Sequence, residues 1–236
     1  MQKDLTIKTN DGFVVYATHD NVGSDALVIF IHGITGRKEE HHYIGGSKFF
    51  NKHGIDTLRF SFYPRREEVR KLSESSITTH AKDLQTIIDQ FKEKYEKIVL
   101  VGHSLGAIVI LNLDLSDIHK VVLWDPTCPI EDVEGYHIHW NEDLGKYIMD
   151  WGKEMLVSKE MVDEWVNFDI GELLEKVPVP IKIVFAGNRK KYDVWKNYLD
   201  RIPVENAYSI IEGTSHEFIE EDKVQELFDE TLKWLK

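Results

Sequence analysis

Six consecutive apolar residues, Ala26-Leu27-Val28-Ile29-Phe30-Ile31, leave no polar side to turn toward water. A strand sends alternate side chains to opposite faces, so a run without alternation fits a strand covered on both faces, as in a parallel sheet sandwiched between helices. Shorter runs rich in β-branched residues recur at 55–60, 98–101, 121–124, 181–185 and 207–211. Near the start, 5–9 and 13–18 flank Asn10-Asp11-Gly12, whose Asp-Gly pair supplies tight-turn chemistry, so these segments read as a hairpin. Eight strands are expected in all.

Helical patterns lie between the runs. Ile77, Ala81, Leu84, Ile88, Phe91 and Tyr95 recur in steps of three and four, which draws one apolar stripe along a helix. Val224, Leu227, Phe228, Thr231 and Leu235 draw a second at the end of the chain. Strands alternating with helices predict right-handed crossovers and a mostly parallel eight-stranded sheet with helices on both faces. The stretch from Asp125 to Val179 is too long for one crossover helix. It holds Trp140, Trp151 and Trp165, with Leu144, Ile148, Trp151 and Met155 at helical spacing, and predicts a small helical lid over about 128–175, inserted between strands six and seven.

A chain of 236 residues fits one domain, 1–236, carrying that insertion. The formal net charge of −12 opposes the basic footprint that a phosphate backbone requires, which argues against nucleic acid as a partner. A single cysteine, Cys128, rules out an intrachain disulfide and any multi-cysteine metal site. The first residues alternate polar and apolar and carry no signal-peptide core, and no apolar run is long enough to insert into a membrane, so a cytoplasmic location is expected. Nothing in the sequence sets an oligomeric state.

The chemistry concentrates at Gly102-His103-Ser104-Leu105-Gly106, which follows the 98–101 run and precedes the small and apolar Ala107-Ile108-Val109-Ile110-Leu111. In this strand-turn-helix context the serine occupies a sharp turn that exposes its hydroxyl, and the flanking glycines admit a backbone approach that a Cβ would block. A serine hydroxyl is a weak nucleophile until a base removes its proton. His216, in Gly213-Thr214-Ser215-His216-Glu217-Phe218, follows the last run and is the only histidine downstream of His139. An oxyanion hole needs the N–H after the nucleophile, here Leu105, and a second from a loop after an earlier strand. Ile34 in Ile31-His32-Gly33-Ile34-Thr35-Gly36 is the expected second donor, with His32 anchoring the loop.

These motifs resemble the α/β-hydrolase family over nearly the whole chain, most closely its small bacterial cinnamoyl or feruloyl esterases and related lysophospholipase-like hydrolases. The resemblance implies an α/β-hydrolase fold and hydrolysis of a small-molecule carboxylic ester through an acyl-enzyme, with no metal or organic cofactor. Thioesterase, peptidase or acyltransferase chemistry uses the same residues, and a non-catalytic ligand-binding homologue would keep the pocket alone. The sequence departs from the family at the acid. Relatives carry an aspartate three residues after the glycine that ends the penultimate strand, and here Lys190 holds that place after Gly187. Asp193 restores the pattern if the loop is longer and is the first candidate; Asp125, after the sixth run, is the alternative acid. A second departure is the charged segment Tyr63-Pro64-Arg65-Arg66, where relatives often have a glycine-rich turn.

Other signals carry less. His137-x-His139 and Glu39-Glu40-His41-His42 hold metal-ligating residue types without a spaced second cluster, so no metal site is expected. Cys128 has no histidine pattern to mark it as a nucleophile.

Overall fold

A computed structural model of the chain describes residues 1–64 and 66–236. It contains an eight-stranded sheet ordered β1-β2-β4-β3-β5-β6-β10-β11. The strands are β1 Gln2–Lys8, β2 Val14–Asp20, β3 Ala26–Ile31, β4 Asp56–Ser61, β5 Lys97–His103, β6 Lys120–Trp124, β10 Ile181–Ala186 and β11 Asn206–Ile211. The pairings β1/β2 and β2/β4 are antiparallel and the rest are parallel, so the mostly parallel sheet expected from the sequence is mixed at its N-terminal edge.

Alternation within the apolar runs sorts side chains into two layers. Leu27, Ile29 and Ile31 of β3 face one core with Ile98 and Leu100 of β5, whereas Val28 and Phe30 face the other with Val99 and Val101. Helices α2 (Ile77–Phe91) and α3 (Leu105–Leu111) cover the first layer; α1 (His41–Lys52) and α7 (Lys223–Leu235) cover the second. The α2 stripe is buried at Ile77, Ala81, Leu84, Ile88 and Phe91. The helix starts where Ser76 accepts from the Thr79 N–H and Thr79 Oγ1 accepts from the Ser76 N–H, a reciprocal cap made with threonine in place of glutamate. Lys182 interrupts the apolar run of β10 on the α7 side, where its amine meets Glu230 at 2.7 Å. Among the described residues no helix is long and apolar enough to cross a membrane.

Between β6 and β10 the insertion differs from the helical lid expected. It opens with a three-stranded antiparallel meander of β7 (Ile138–Asn141), β8 (Lys146–Asp150) and β9 (Glu154–Val157), and only then forms helices α4 (Lys159–Asn167) and α5 (Ile170–Glu175). Leu144, Ile148, Trp151 and Met155 therefore lie on strands and turns. The reason is local: Gly145 at φ 57° and Gly152 at φ 80° adopt left-handed turns in the middle of the supposed helix. Met149 of β8 is buried while its strand neighbours Ile148 and Asp150 are not, so the residue that turns inward is outside the apolar helical spacing. Helix α6 (Lys191–Trp195) follows β10 directly.

At the end of the sheet remote from the carboxyl termini of the parallel strands, the buried Asp56 carboxylate accepts from the N–H groups of Val22, Gly23 and Ser24 at 2.7, 3.2 and 3.2 Å, and from Asn21 Nδ2 and the Tyr95 hydroxyl, both at 2.6 Å. It holds the turn between β2 and β3 against β4. Asp56→Ala leaves these donors orphaned, so we expect a loss of about 3 kcal/mol in unfolding free energy, read by urea denaturation, with the m-value unchanged.

Candidate active site

Chain segments leave β3, β5, β6, β10 and β11 at the same edge of the sheet, and there they enclose a cavity of about 440 Å³. The carboxyl ends of parallel strands are where such sheets bind ligands. The cavity is lined by Ser104 and His216, by Gly33 and Ile34, and on the insertion side by Tyr136, Trp151 and Trp165.

Ser104 stands between β5 and α3 at φ 55°, ψ −122°, and remains 9% exposed. The turn is sharp because the elbow packs against β3 with no room for side chains. A Cβ on Gly106 would run into the carbonyl oxygens of Ile31 and His32, and one on Gly102 would lie 2.8 Å from Ala107 N. Gly33 faces Ser104: a Cβ there would stand 2.8 Å from Ser104 Cβ and 3.3 Å from Oγ. Leu105 begins α3, where backbone N–H groups have no partner within the helix. His32 anchors the loop as expected, Nδ1 donating to Gly33 O at 2.7 Å and Nε2 accepting from Phe62 N at 2.9 Å. Burial pushes its imidazole down to about 4.

His216 lies between β11 and α7. Glu220 braces this loop by accepting from Thr214 Oγ1 at 2.6 Å and from Ser215 N at 2.9 Å. His216 Nδ1 donates to Asp125 Oδ2 at 2.5 Å, and the other carboxylate oxygen accepts from Ala186 N at 3.1 Å. Burial alone would raise the Asp125 carboxyl, but the His216 hydrogen bond and the Lys191 charge outweigh it and hold it below its ordinary range. Burial dominates at His216 and lowers its imidazole, so the ring is neutral at neutral pH with Nε2 free to accept.

The structure therefore brings Asp125, and not Asp193, to the histidine. Residues 191 and 193 lie on opposite faces of α6, because two helical steps turn through about 200°. Lys191 and Trp195 face inward, and Asp193 is 58% exposed and bound to Lys196 at 2.7 Å. The inward position carries a cation: Lys191 Nζ lies 3.2 Å from Asp125 O, 3.4 Å from Asp125 Oδ2 and 3.4 Å from His216 Nδ1. The sequence signal for Lys191 is its spacing, four residues before Trp195, which puts both on the buried face of one helical turn. Six non-glycine residues among those described have positive φ, and Thr35, Ser104 and His137 line the cavity while Asp125 lies under it. Such backbone strain gathers at functional sites.

The other sequence signals divide between the cavity and its surroundings. Cys128 does not line it, and burial raises its thiol. Arg66 lies over the Tyr16 ring at 4.1 Å, and Arg65 lies outside the described residues. His137 lines the cavity, whereas His139 is exposed on β7.

Residues 28–230 match a model described as the alpha/beta hydrolase family. Among curated proteins none matches the chain in sequence. Solved structures with the same fold include Est1E from Butyrivibrio proteoclasticus with ferulic acid bound, at 17% identity and a TM-score of 0.78, covering 98% of this chain and 99% of that one. They also include the alpha/beta hydrolase GrgF from Penicillium sp. sh18, at 16% identity and a TM-score of 0.81, covering 100% and 98%. The esterase Pf2001 of Pyrococcus furiosus gives 17% identity and a TM-score of 0.73, covering 100% and 91%. At these identities the likeness is one of fold.

The geometry predicts how Ser104 reacts with a fluorophosphonate. Asp125→Asn is expected to slow covalent labelling by at least about 10²-fold, because the amide no longer holds the Nδ1–H tautomer, and Asp193→Asn is expected to leave the rate unchanged. Intact-protein mass spectrometry over a time course measures both.

Proposed function

We propose that this chain, which belongs to the alpha/beta hydrolase family, is a serine hydrolase that cleaves small carboxylic esters with Ser104, His216 and Asp125. The observation that carries the reading is the Asp125–His216 hydrogen bond at 2.5 Å beneath a cavity that both His216 and Ser104 line.

In this mechanism Ser104 Oγ attacks the acyl carbonyl and its proton passes to His216 Nε2. Asp125 keeps the other imidazole nitrogen protonated and stabilises the imidazolium that forms. The N–H groups of Ile34 and Leu105 are the donors assigned to the oxyanion, and Gly33 lets the first of these backbone segments approach the serine side chain. His216 then gives its proton to the leaving alcohol, which leaves an acyl-enzyme. A water molecule, activated by the same histidine, attacks the acyl carbonyl and frees the acid and Ser104.

For the substrate we favour a compact ester with an aromatic or other flat apolar group. Tyr136, Trp151 and Trp165 offer flat apolar surface on one side of the cavity, and its volume suits a ligand of modest size. Arg189, which also lines the cavity, is a cation that an acidic substituent would meet.

Initial rates on p-nitrophenyl esters of graded acyl length and on methyl ferulate test this reading. Ser104→Ala is expected to lower kcat by at least about 10³-fold with the fold intact. Trp165→Ala is expected to raise KM for methyl ferulate more than for p-nitrophenyl acetate. Full turnover in Ser104→Ala overturns the assignment of the nucleophile, and equal KM changes for the two esters overturn the aromatic substrate.

A further inference from the structure

The acidic and histidine-rich run Glu39-Glu40-His41-His42 leads into α1, and its last histidine is not on the surface. His42 is 1% exposed, and neither of its ring nitrogens has a hydrogen-bond partner. The Glu40 carboxylate stands 3.4 Å from Nε2 but does not form a hydrogen bond with it. A buried imidazole with two unanswered nitrogens is costly, and such a group calls for an explanation.

His42 faces two further donors. One donor atom each from His42, His103 and Glu217 lie within 4.8 Å of one another. The rings of His42 and His103 are 5.0 Å apart. His103 Nε2 donates to the His216 carbonyl at 2.9 Å, which fixes its tautomer and leaves the Nδ1 lone pair as its coordinating atom. Histidines that bind metals characteristically donate their other N–H in this way. Glu217 is exposed at the cavity wall, so its carboxylate has freedom to move.

We propose that His42, His103 and Glu217 form a binding site for a divalent transition-metal ion of the zinc class. Two imidazoles and one carboxylate suit a borderline ion; calcium and magnesium prefer all-oxygen shells. Two histidines and a glutamate are also a known three-ligand zinc set, with a fourth position left for water. Ligands about 2.0–2.1 Å from a tetrahedral ion stand about 3.3 Å apart, so binding draws the three donors together from within the 4.8 Å limit, with the exposed Glu217 side chain the freest to move. The fourth position opens on the cavity that His103 and Glu217 both line. His103 immediately precedes Ser104, and Glu217 immediately follows His216. A bound ion therefore ties α1 to the two segments that carry the reactive pair.

The site is tested without substrate, so its outcome is separate from that of the ester assays. Full-length protein is stripped with a chelator and titrated with Zn²⁺ by calorimetry and with Co²⁺ by visible absorption. One ion per chain, a cobalt spectrum of tetrahedral intensity and a raised melting temperature are expected. Glu217→Ala, at an exposed position that does not threaten folding, is expected to weaken binding more than about 10-fold, the scale that even outer partners reach, and so is His42→Gln. His139→Ala is expected to bind as the parent does. No saturable binding, binding that survives in Glu217→Ala, or loss in His139→Ala would each overturn the site.

Discussion

Parallel pairing in one register is the constraint on which the site depends. Ile31 lies opposite Gly102, His103 opposite Trp124, and Trp124 opposite Val184. Because the strands run in the same direction, the segments that leave them emerge side by side. Residues separated by more than a hundred positions, such as Ser104 and His216, are thereby delivered to one edge with no loop crossing the core. The two apolar layers fix this register, because a slip by one residue would exchange every side chain between them. Their burial supports the positive-φ turns at Ser104 and Asp125, each of which costs free energy locally.

Hydrogen bonding around the histidine shows a second level of support. Asp125 is held by its own N–H to Val184 O at 2.7 Å, and by the Ala186 N–H to its carboxylate, before it meets His216. The imidazole is therefore oriented by β6 and β10 together, while Glu220 and the His103 side chain fix its loop. Lys191 adds a cation to a pair usually described as a carboxylate and an imidazole alone. Its charge lowers the Asp125 carboxyl and, after the larger effect of burial, the His216 imidazole as well.

Much of this was legible in the sequence because the signals were local. Val28 and Phe30 announce a strand buried on both faces, and the glycines around Ser104 announce a turn without room for side chains. The acid was not local. Asp193 and Asp125 both follow apolar strands, and only the helical phase of α6 decides that the first points to water and Lys191 points inward. The insertion was misread for a related reason. The spacing of Leu144, Ile148, Trp151 and Met155 fits a helix, but Gly145 and Gly152 supply turn chemistry that outweighs apolar spacing in a short, half-exposed segment. His42 was hidden in the same way, since a polar run says nothing about which of its members turns inward.

The insertion leaves the sheet after β6 and returns at β10, and these two strands are hydrogen-bonded neighbours. Because the two strands are parallel, it starts at the carboxyl end of β6 and must return to the amino end of β10, about three residues or 10 Å back along the strands as well as one strand across. Met149, Val157, Met161, Trp165 and Leu174 of this insertion pack into the core layer that α2 and α3 cover, so it crosses the sheet as part of that layer. The part of the chain that supplies Tyr136, Trp151 and Trp165 to the cavity is thus a separate stretch from those that carry Ser104, Asp125 and His216. The wall of the cavity and its floor are in this way set by different stretches of chain.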